Sequence, residues 1–463
     1  MQKLFDELGS LDRRCCEAFA LSEDILMEHA AQGMSEYIRQ NFALNSKVIV
    51  ACGSGNNGAD GLALARLLHA DYQVEIFYAK EPSSQMALLQ AKRVQALHIS
   101  TCQELSSCDV LVDAIIGTGL SGSFNAEIDS ILKEMNKLQA FKIACDIPSG
   151  IQSNGICAQN CFVADVSLTM GALKKSMFLD EAKAFVGEIK VLDLGVSRRV
   201  YEGDSNWNLL DLEDLKLPHR GEKDSHKGSY GHLALACGNK AGASIISAQS
   251  ALRFGAGLVT LVGYENVQIP EILMYSHALP ANTTALACGM GLGNEFSEVE
   301  LENFLDNSLP MVADADIFHM PILKKILQRE DIVLTPHAKE FVSLLKITGI
   351  ADVTVEELQK NRFKYVEAFC AQFPHATLLL KGANVILACG NAFYINPHGT
   401  SALAKGGSGD VLSGLVGALL AQGYTPLQAA IHASLAHTKL AINYKGADFS
   451  LTPRELIEGI ANL

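Results

Sequence analysis

Two successive α/β domains, the first built on a parallel sheet with helices on either face, are predicted by the 463-residue sequence. Two observations carry that expectation. The chain is longer than the roughly 250–300 residues at which a single hydrophobic core stops growing. Its short, continuously apolar, β-branched runs also alternate with longer stretches of helical spacing, the pattern of strands buried on both faces.

The order of elements follows from this rhythm. SEDILMEHAAQGMSEYI (22–38) opens with a capping-type Ser22 and predicts a leading helix. Strands are expected at KVIVAC (47–52), VEIFYA (74–79), DVLVDAII (109–116), FKIACD (141–146), DVSLTM (165–170) and EIKVLDL (188–194). Between Ser197 and Arg220, charges, the only tryptophan and Pro218 break the alternation, which places a boundary near residue 212. The predicted domains are therefore 1–212 and 213–463. A second series of strands runs through HLALAC (232–237), GLVTLVG (257–263), TALAC (284–288), PMVADAD (310–316), DIVLTP (331–336), ATLLLKG (376–382) and NVILAC (384–389). Helices Val411–Ala421, Pro426–Tyr444 and Pro453–Leu463 close the chain.

Composition narrows the function. Hydrophobic residues at 49% and charged ones at 19% suffice for two full cores, and a net charge of −14 argues against a nucleic-acid groove. Small molecules are the expected partners. The 12 cysteines form no C-x-x-C pair and sit mostly in apolar runs, so buried reduced thiols are expected. The N-terminus has no apolar signal region and no uncharged stretch is long enough to span a bilayer, so the expected compartment is the cytoplasm and no membrane partner is expected.

Two segments carry chemistry. KVIVAC runs into GSGNNGADG (53–61), so Gly53, Gly55 and Gly58 fit G-x-G-x-x-G at a strand-to-helix turn, where amides and a helix N-terminus face a phosphate. A bare glycine fingerprint of this kind is weak, and Glu75 even stands where a dehydrogenase places its ribose-binding acid. Asn56, Asn57 and Asp60 are polar groups that a plain dinucleotide crossover does not need. Asp113, Asp146 and Ser149 end neighbouring strands, and the carboxyl edge of a parallel sheet gathers such ends into one crevice of hard oxygen donors. Turn and helix capping would account for any one of these residues, less readily for all of them. In the second half, GGSGD (406–410) precedes a helix, so the amides of Gly407, Ser408 and Gly409 would form an anion hole with Asp410 at its mouth. A carboxylate there can accept the proton of a hydroxyl that attacks a phosphoryl group; the plainer role of Asp410 is an N-cap.

GSGNNGADGLALAR, DAIIGTGL and CDIPSG, behind the LMEHA helix, resemble the NAD(P)H-hydrate epimerase domain over roughly residues 1–210. The resemblance implies a Rossmann-like three-layer fold and a potassium ion held by Asn57, Asp113 and Ser149. It further implies that hydrated nicotinamide nucleotide is bound by Asn56, Asn57, Gly58, Ala59 and Asp60, by Gly117, Thr118, Gly119, Leu120, Ser121, Gly122 and Ser123, and by Asp146. Ala59 replaces a usual glycine, and its methyl would crowd the phosphate approach if φ were positive.

HKGSYG (226–231), AGAS (241–244), GMGLG (289–293), LTPHAKEF (334–341), LLKGANVIL (379–387) and GGSGD resemble the ADP- or ATP-dependent NAD(P)H-hydrate dehydratase, a ribokinase-like fold, over roughly 215–463. That resemblance implies contacts to the hydrated nucleotide from Ala243, Gly291, His337 and Asp410. It implies contacts to the adenine nucleotide from Lys381, Gly382, Ala383, Asn384, Val385 and Gly409. The family's usual GGTGD, GPGLG and HPGEF appear as GGSGD, GMGLG and HAKEF, and Lys339 adds a charge beside His337.

The two resemblances imply one repair sequence. Phosphorylating the C6 hydroxyl of the hydrated ring converts hydroxide into a phosphate that can leave, with Asp410 as base and ADP or ATP, with Mg2+, as donor. Asp146 is expected to move protons at C6 so that the R and S epimers interconvert. The expected assembly is a homo-oligomer. Two alternatives stay open at this point: a vitamin-precursor kinase that stops at its phosphorylated product, and a first half that is dehydrogenase-like or a silent binding module.

Overall fold

A computed structural model describes residues 1–119, 126–263, 268–293, 296 and 298–463. Within it the chain divides into two compact units, Gln2–Trp207 and Asn208–Leu463, the latter grouped with Met1.

In the Gln2–Trp207 unit seven strands form one all-parallel sheet. The order is Ser100–Cys102, Gln73–Tyr78, Lys47–Cys52, Val110–Ala114, Phe141–Cys145, Val166–Met170 and Glu188–Leu192. Alternate side chains enter two cores, because successive Cβ atoms of a strand point to opposite faces. Val48, Val50 and Cys52 join Leu26, Ala30, Met34, Ile38, Leu62 and Leu68 from helices Glu23–Asn41 and Asn56–Leu68. Ile49, Ala51 and Leu111 meet Ile128, Leu132 and Met135 of helix Ala126–Lys137 on the other face. The leading helix starts as expected, with the Ser22 hydroxyl accepting from the Ile25 amide at 3.4 Å. Strand order reverses between Lys47–Cys52 and Val110–Ala114, and that reversal opens a crevice at the carboxyl edge.

The sequence rhythm did not announce a short strand, Gln2–Phe5, which pairs in parallel with Leu173–Lys174, nor the helix Gly9–Phe19 that follows it. All twelve cysteines are unpaired, seven of them buried.

In the Asn208–Leu463 unit the order is Met274–Ser276, Leu258–Val262, His232–Ala236, Ala285–Cys288, Met311–Ala313, Ile332–Leu334 and Thr377–Leu380, all parallel. Val385–Cys389 and Ala392–Asn396 then add two antiparallel strands. Helices Ala241–Arg253, Ser408–Ala421 and Pro426–Asn443 pack an Ala- and Leu-rich core against one face. Small residues allow close approach here: a Cβ on Gly414 would overlap the Ser250 hydroxyl and the Ser247 carbonyl. Among the described residues, no helix is long and apolar enough to cross a membrane.

Candidate active sites in the two units

In the first unit, Lys47–Cys52 leads through Gly53–Gly55 into helix Asn56–Leu68. Asn56, Asn57, Gly58, Ala59 and Asp60 therefore form the first helical turns rather than a loop. Gly58 lies so close to the Gly53 carbonyl that a Cβ there would overlap it, which folds the turn tightly under the helix N-terminus. Ala59 is not among the residues of positive φ, and its methyl packs with Met27, Met86 and Ala87. The replacement of glycine is thus accommodated on the apolar side of the helix. Asn56 is exposed and donates to Glu23 Oε1 at 2.6 Å.

Asp113 is fully buried at the end of its strand. Its Oδ1 accepts from the Ser149 hydroxyl at 2.7 Å and its Oδ2 from the Ser149 amide at 2.7 Å. Burial pushes this carboxyl up to about 6, against the lowering effect of the Ser149 hydrogen bonds. Asn57 stands beside Gly117, with 3.5 Å between its side-chain oxygen and the position of a Gly117 Cβ, and its buried Nδ2 has no partner among the described residues. Gly117, Thr118 and Gly119 continue at the crevice rim; Leu120, Ser121, Gly122 and Ser123 lie outside the described residues.

Asp146, expected in the same crevice as Asp113 and Ser149, has its side-chain partners at residues 169–174. Its backbone adopts φ +72°, a left-handed conformation unusual for a residue with a Cβ. The carboxylate accepts from the Met170 amide at 3.0 Å, from Thr169 at 3.5 Å and from the buried Lys174 ammonium. Lys174 also donates to the Thr169 hydroxyl at 2.7 Å. Sequence reasoning missed Lys174, although two lysines inside the apolar run GALKKSMF were a signal that a buried cation has a partner. It also missed Asp12, whose carboxyl accepts from the Tyr201 hydroxyl at 2.7 Å and is pushed up by burial.

In the second unit three successive strand ends converge on one helix N-terminus. Asp314, buried after Met311–Ala313, accepts from Lys381 Nζ at 2.7 Å and from the Ser413 hydroxyl at 2.6 Å. Lys381 follows Thr377–Leu380, its amide tied to the Pro336 carbonyl at 2.9 Å, and its ammonium lies 3.3 Å from the position of a Gly409 Cβ. Gly382, Ala383, Asn384 and Val385 continue from it into the next strand.

The helix begins at Ser408, three residues earlier than expected, behind Gly407 at φ +86°. Asp410 thus sits in the first turn. The Ser408 amide donates to the Lys405 carbonyl at 3.2 Å, so one of the three amides expected to face an anion is already engaged. The Ser408 hydroxyl meets His437 Nε2 at 3.1 Å, and burial lowers that imidazole to about 4, leaving it neutral. Burial and the neighbouring Asp314 carboxylate raise Asp410 to about 6, while Lys381 pulls it back. Asp314 was visible in PMVADAD but was read only as part of a strand.

Ala243 lies in the first turn of helix Ala241–Arg253, and Gly291 packs against it, with 3.2 Å between the Ala243 Cβ and the position of a Gly291 Cβ. His337 caps helix Ala338–Thr348: its Nδ1 accepts from the Lys339 amide at 3.1 Å and the Glu340 amide at 3.3 Å, while the Glu340 carboxylate accepts from the His337 amide at 2.8 Å. The exposed Lys339 therefore presents His337 through its own amide. Burial raises the Glu340 carboxyl, and Lys381 lowers it.

Two family models match the chain: NAD(P)H-hydrate dehydratase over residues 233–462 and YjeF-related protein N-terminus over residues 23–176. The bifunctional NAD(P)H-hydrate repair enzyme Nnr of Helicobacter pylori is 41% identical over 474 residues, covering 100% of both chains. Its counterpart in Coxiella burnetii is 32% identical over 94% of this chain and 93% of its own. Among solved structures, the ADP/ATP-dependent NAD(P)H-hydrate dehydratase from Bacillus subtilis co-crystallized with ATP/Mg2+ is 29% identical, with a TM-score of 0.45, covering 53% of this chain and 92% of that one.

Proposed function

Since the chain belongs to the family of bifunctional NAD(P)H-hydrate repair enzymes, we propose that its two sites divide one repair between them. The enzyme interconverts the R and S forms of hydrated NADH and NADPH and dehydrates the S form to NAD(P)H at the expense of ADP or ATP. We assign epimerisation to residues 1–212 and dehydration to 213–463.

The observation that carries this reading is the setting of Asp410, a carboxylate in a helix first turn, raised to about 6 and faced by Lys381 across Gly409. The hydrated ring lies against Ala243, Gly291 and His337 with its C6 hydroxyl toward Asp410. The adenine nucleotide lies along Lys381–Val385 with its phosphates at Gly409. Asp410 accepts the hydroxyl proton as the oxygen takes the phosphoryl group, and a group whose pKa stands near the operating pH serves that task well. Lys381, held by Asp314, and the amides of Gly407 and Gly409 stabilise the transferred charge. The ring nitrogen lone pair then expels phosphate. Mg2+ bound with the nucleotide would neutralise the charge of its phosphates.

In the first unit the donor set suits an alkali ion. Asp113, Ser149 and the Asn57 side-chain oxygen offer hard oxygens with a single carboxylate among them, and no cluster of three or more His, Cys, Asp or Glu residues exists among the described residues. Potassium at this point would supply the counter-charge that buried Asp113 lacks and would orient the nucleotide phosphates. Asp146, aimed by Lys174 and Met170, exchanges protons with the C6 hydroxyl.

One experiment tests both halves. The protein is given the mixed epimers of hydrated NADH with ADP or ATP, and recovery of the near-ultraviolet absorbance of the reduced ring is followed. The reading expects a fast phase for the S form and complete recovery through a slower phase for the R form. Phosphorylated product without recovered absorbance would leave a simple kinase, and recovery stalling after the S form would remove the epimerase.

A further inference from the structure

A cavity of about 460 Å3 in the Gln2–Trp207 unit is lined by Asp12, Glu23, Leu26, Asn56, Asp60 and Met170. Asp60 lines it, and Asp146 stands behind it, its carboxylate accepting from the amide of the lining residue Met170 and also from Lys174 and Thr169. A carboxyl that only receives hydrogen bonds, one of them from a buried ammonium, is arranged to be a base.

Asp60, one helical turn into Asn56–Leu68, has the reverse setting. Burial and the negative charges of Asp146, Asp12 and Glu23 hold its carboxyl well above the usual carboxylate range, and Lys174 offsets them only partly. A carboxyl held in its protonated form can give a proton while a neighbouring carboxylate that accepts hydrogen bonds takes one.

We propose that Asp60 is a catalytic acid of epimerisation, protonating the ring nitrogen while Asp146 takes the proton of the C6 hydroxyl. This rests on the epimerase reading above. As the C6–N1 bond breaks, its electron pair stays on nitrogen, which receives the Asp60 proton. The C6 oxygen gives its proton to Asp146 and forms the aldehyde carbonyl. Rotation about C5–C6 turns the other aldehyde face to the nitrogen. Closure re-forms C6–N1, N1 returns its proton to Asp60, and Asp146 reprotonates the oxygen. Both side chains are restored with no external reactant. Ring opening also avoids expelling the hydroxyl, the step assigned to the other unit, so epimerisation consumes no nucleotide.

The test uses the full-length protein. Asp60→Asn is expected to lower kcat for R-to-S conversion at least about 100-fold, the usual span for a positioned acid, with S-form dehydration in the other unit little changed. Wild-type kcat should fall on the alkaline side as Asp60 loses its proton; that limb should vanish in Asp60→Asn and return with part of the rate in Asp60→Glu. Wild-type kcat in Asp60→Asn, or a loss confined to KM, overturns the proposal. So does failure of Asp60→Glu to restore both rate and limb. Absence of epimer interconversion by the wild-type protein is a separate outcome and sinks the epimerase reading itself.

Discussion

At the scale of single residues, the chemistry depends on charges supplied by distant stretches of chain. Asp410 owes its raised pKa to burial and to Asp314, a residue on another strand. Asp410→Asn should leave both ligands bound and reduce dehydration at least about 100-fold, measured as turnover of the S hydrate. Asp410 must be ionised to accept a proton, so kcat/KM for dehydration should decline as pH falls through about 6. Asp314→Asn removes a charge that raises this pKa and should move the acid limb to lower pH. An unmoved limb would assign it to another group. The sequence showed Asp113, Asp146 and Ser149 at strand ends and Asp410 behind the glycines that precede a helix. It did not show the pairs Lys174–Asp146 and Lys381–Asp314, whose members are separated by 28 and 67 positions and are joined only by the topology.

At the scale of elements, legibility followed burial. Continuously apolar strands such as Lys47–Cys52 and His232–Ala236 were plain because both of their faces lie in a core. Gln2–Phe5 was not, because four residues carry no period, and helix Gly9–Phe19 buries only Leu11 and Cys15. The start of helix Ser408–Ala421 was misplaced because GGSG reads as a turn, yet the helix is continuous through Ser408 and Gly409 and its first turns are tied to the neighbouring helix. Those ties are tight. Ser247 donates to the Asp410 carbonyl at 2.8 Å and Ser250 to the Val411 carbonyl at 2.9 Å, across the seam where Gly414 admits no Cβ. Gly414→Ala should therefore destabilise the Asn208–Leu463 unit by about 1–3 kcal/mol, read by denaturant unfolding. It should also impair dehydration by tilting Asp410 away from its substrate.

At the scale of the whole molecule, each unit has its own hydrophobic core. Ligands should therefore stabilise the units separately. ADP at about 100 times its Kd should add about 2.7 kcal/mol to the unit that binds it. Calorimetry is expected to show ADP raising the transition of Asn208–Leu463, and potassium in place of choline raising that of Gln2–Trp207. A shift of both transitions by either ligand would contradict the division of labour.

The cap on helix Ala338–Thr348 also fixes a tautomer. Because His337 Nδ1 accepts two amide hydrogens, the proton of the neutral ring resides on Nε2, which lies 3.4 Å from Glu340 Oε1 on a side chain that is 53% exposed. Toward a ligand the imidazole can then only give a hydrogen bond. A molecule settling at this edge must offer it an oxygen lone pair, as a carboxamide or a phosphate does, and an amine approaching the same nitrogen meets a donor facing a donor.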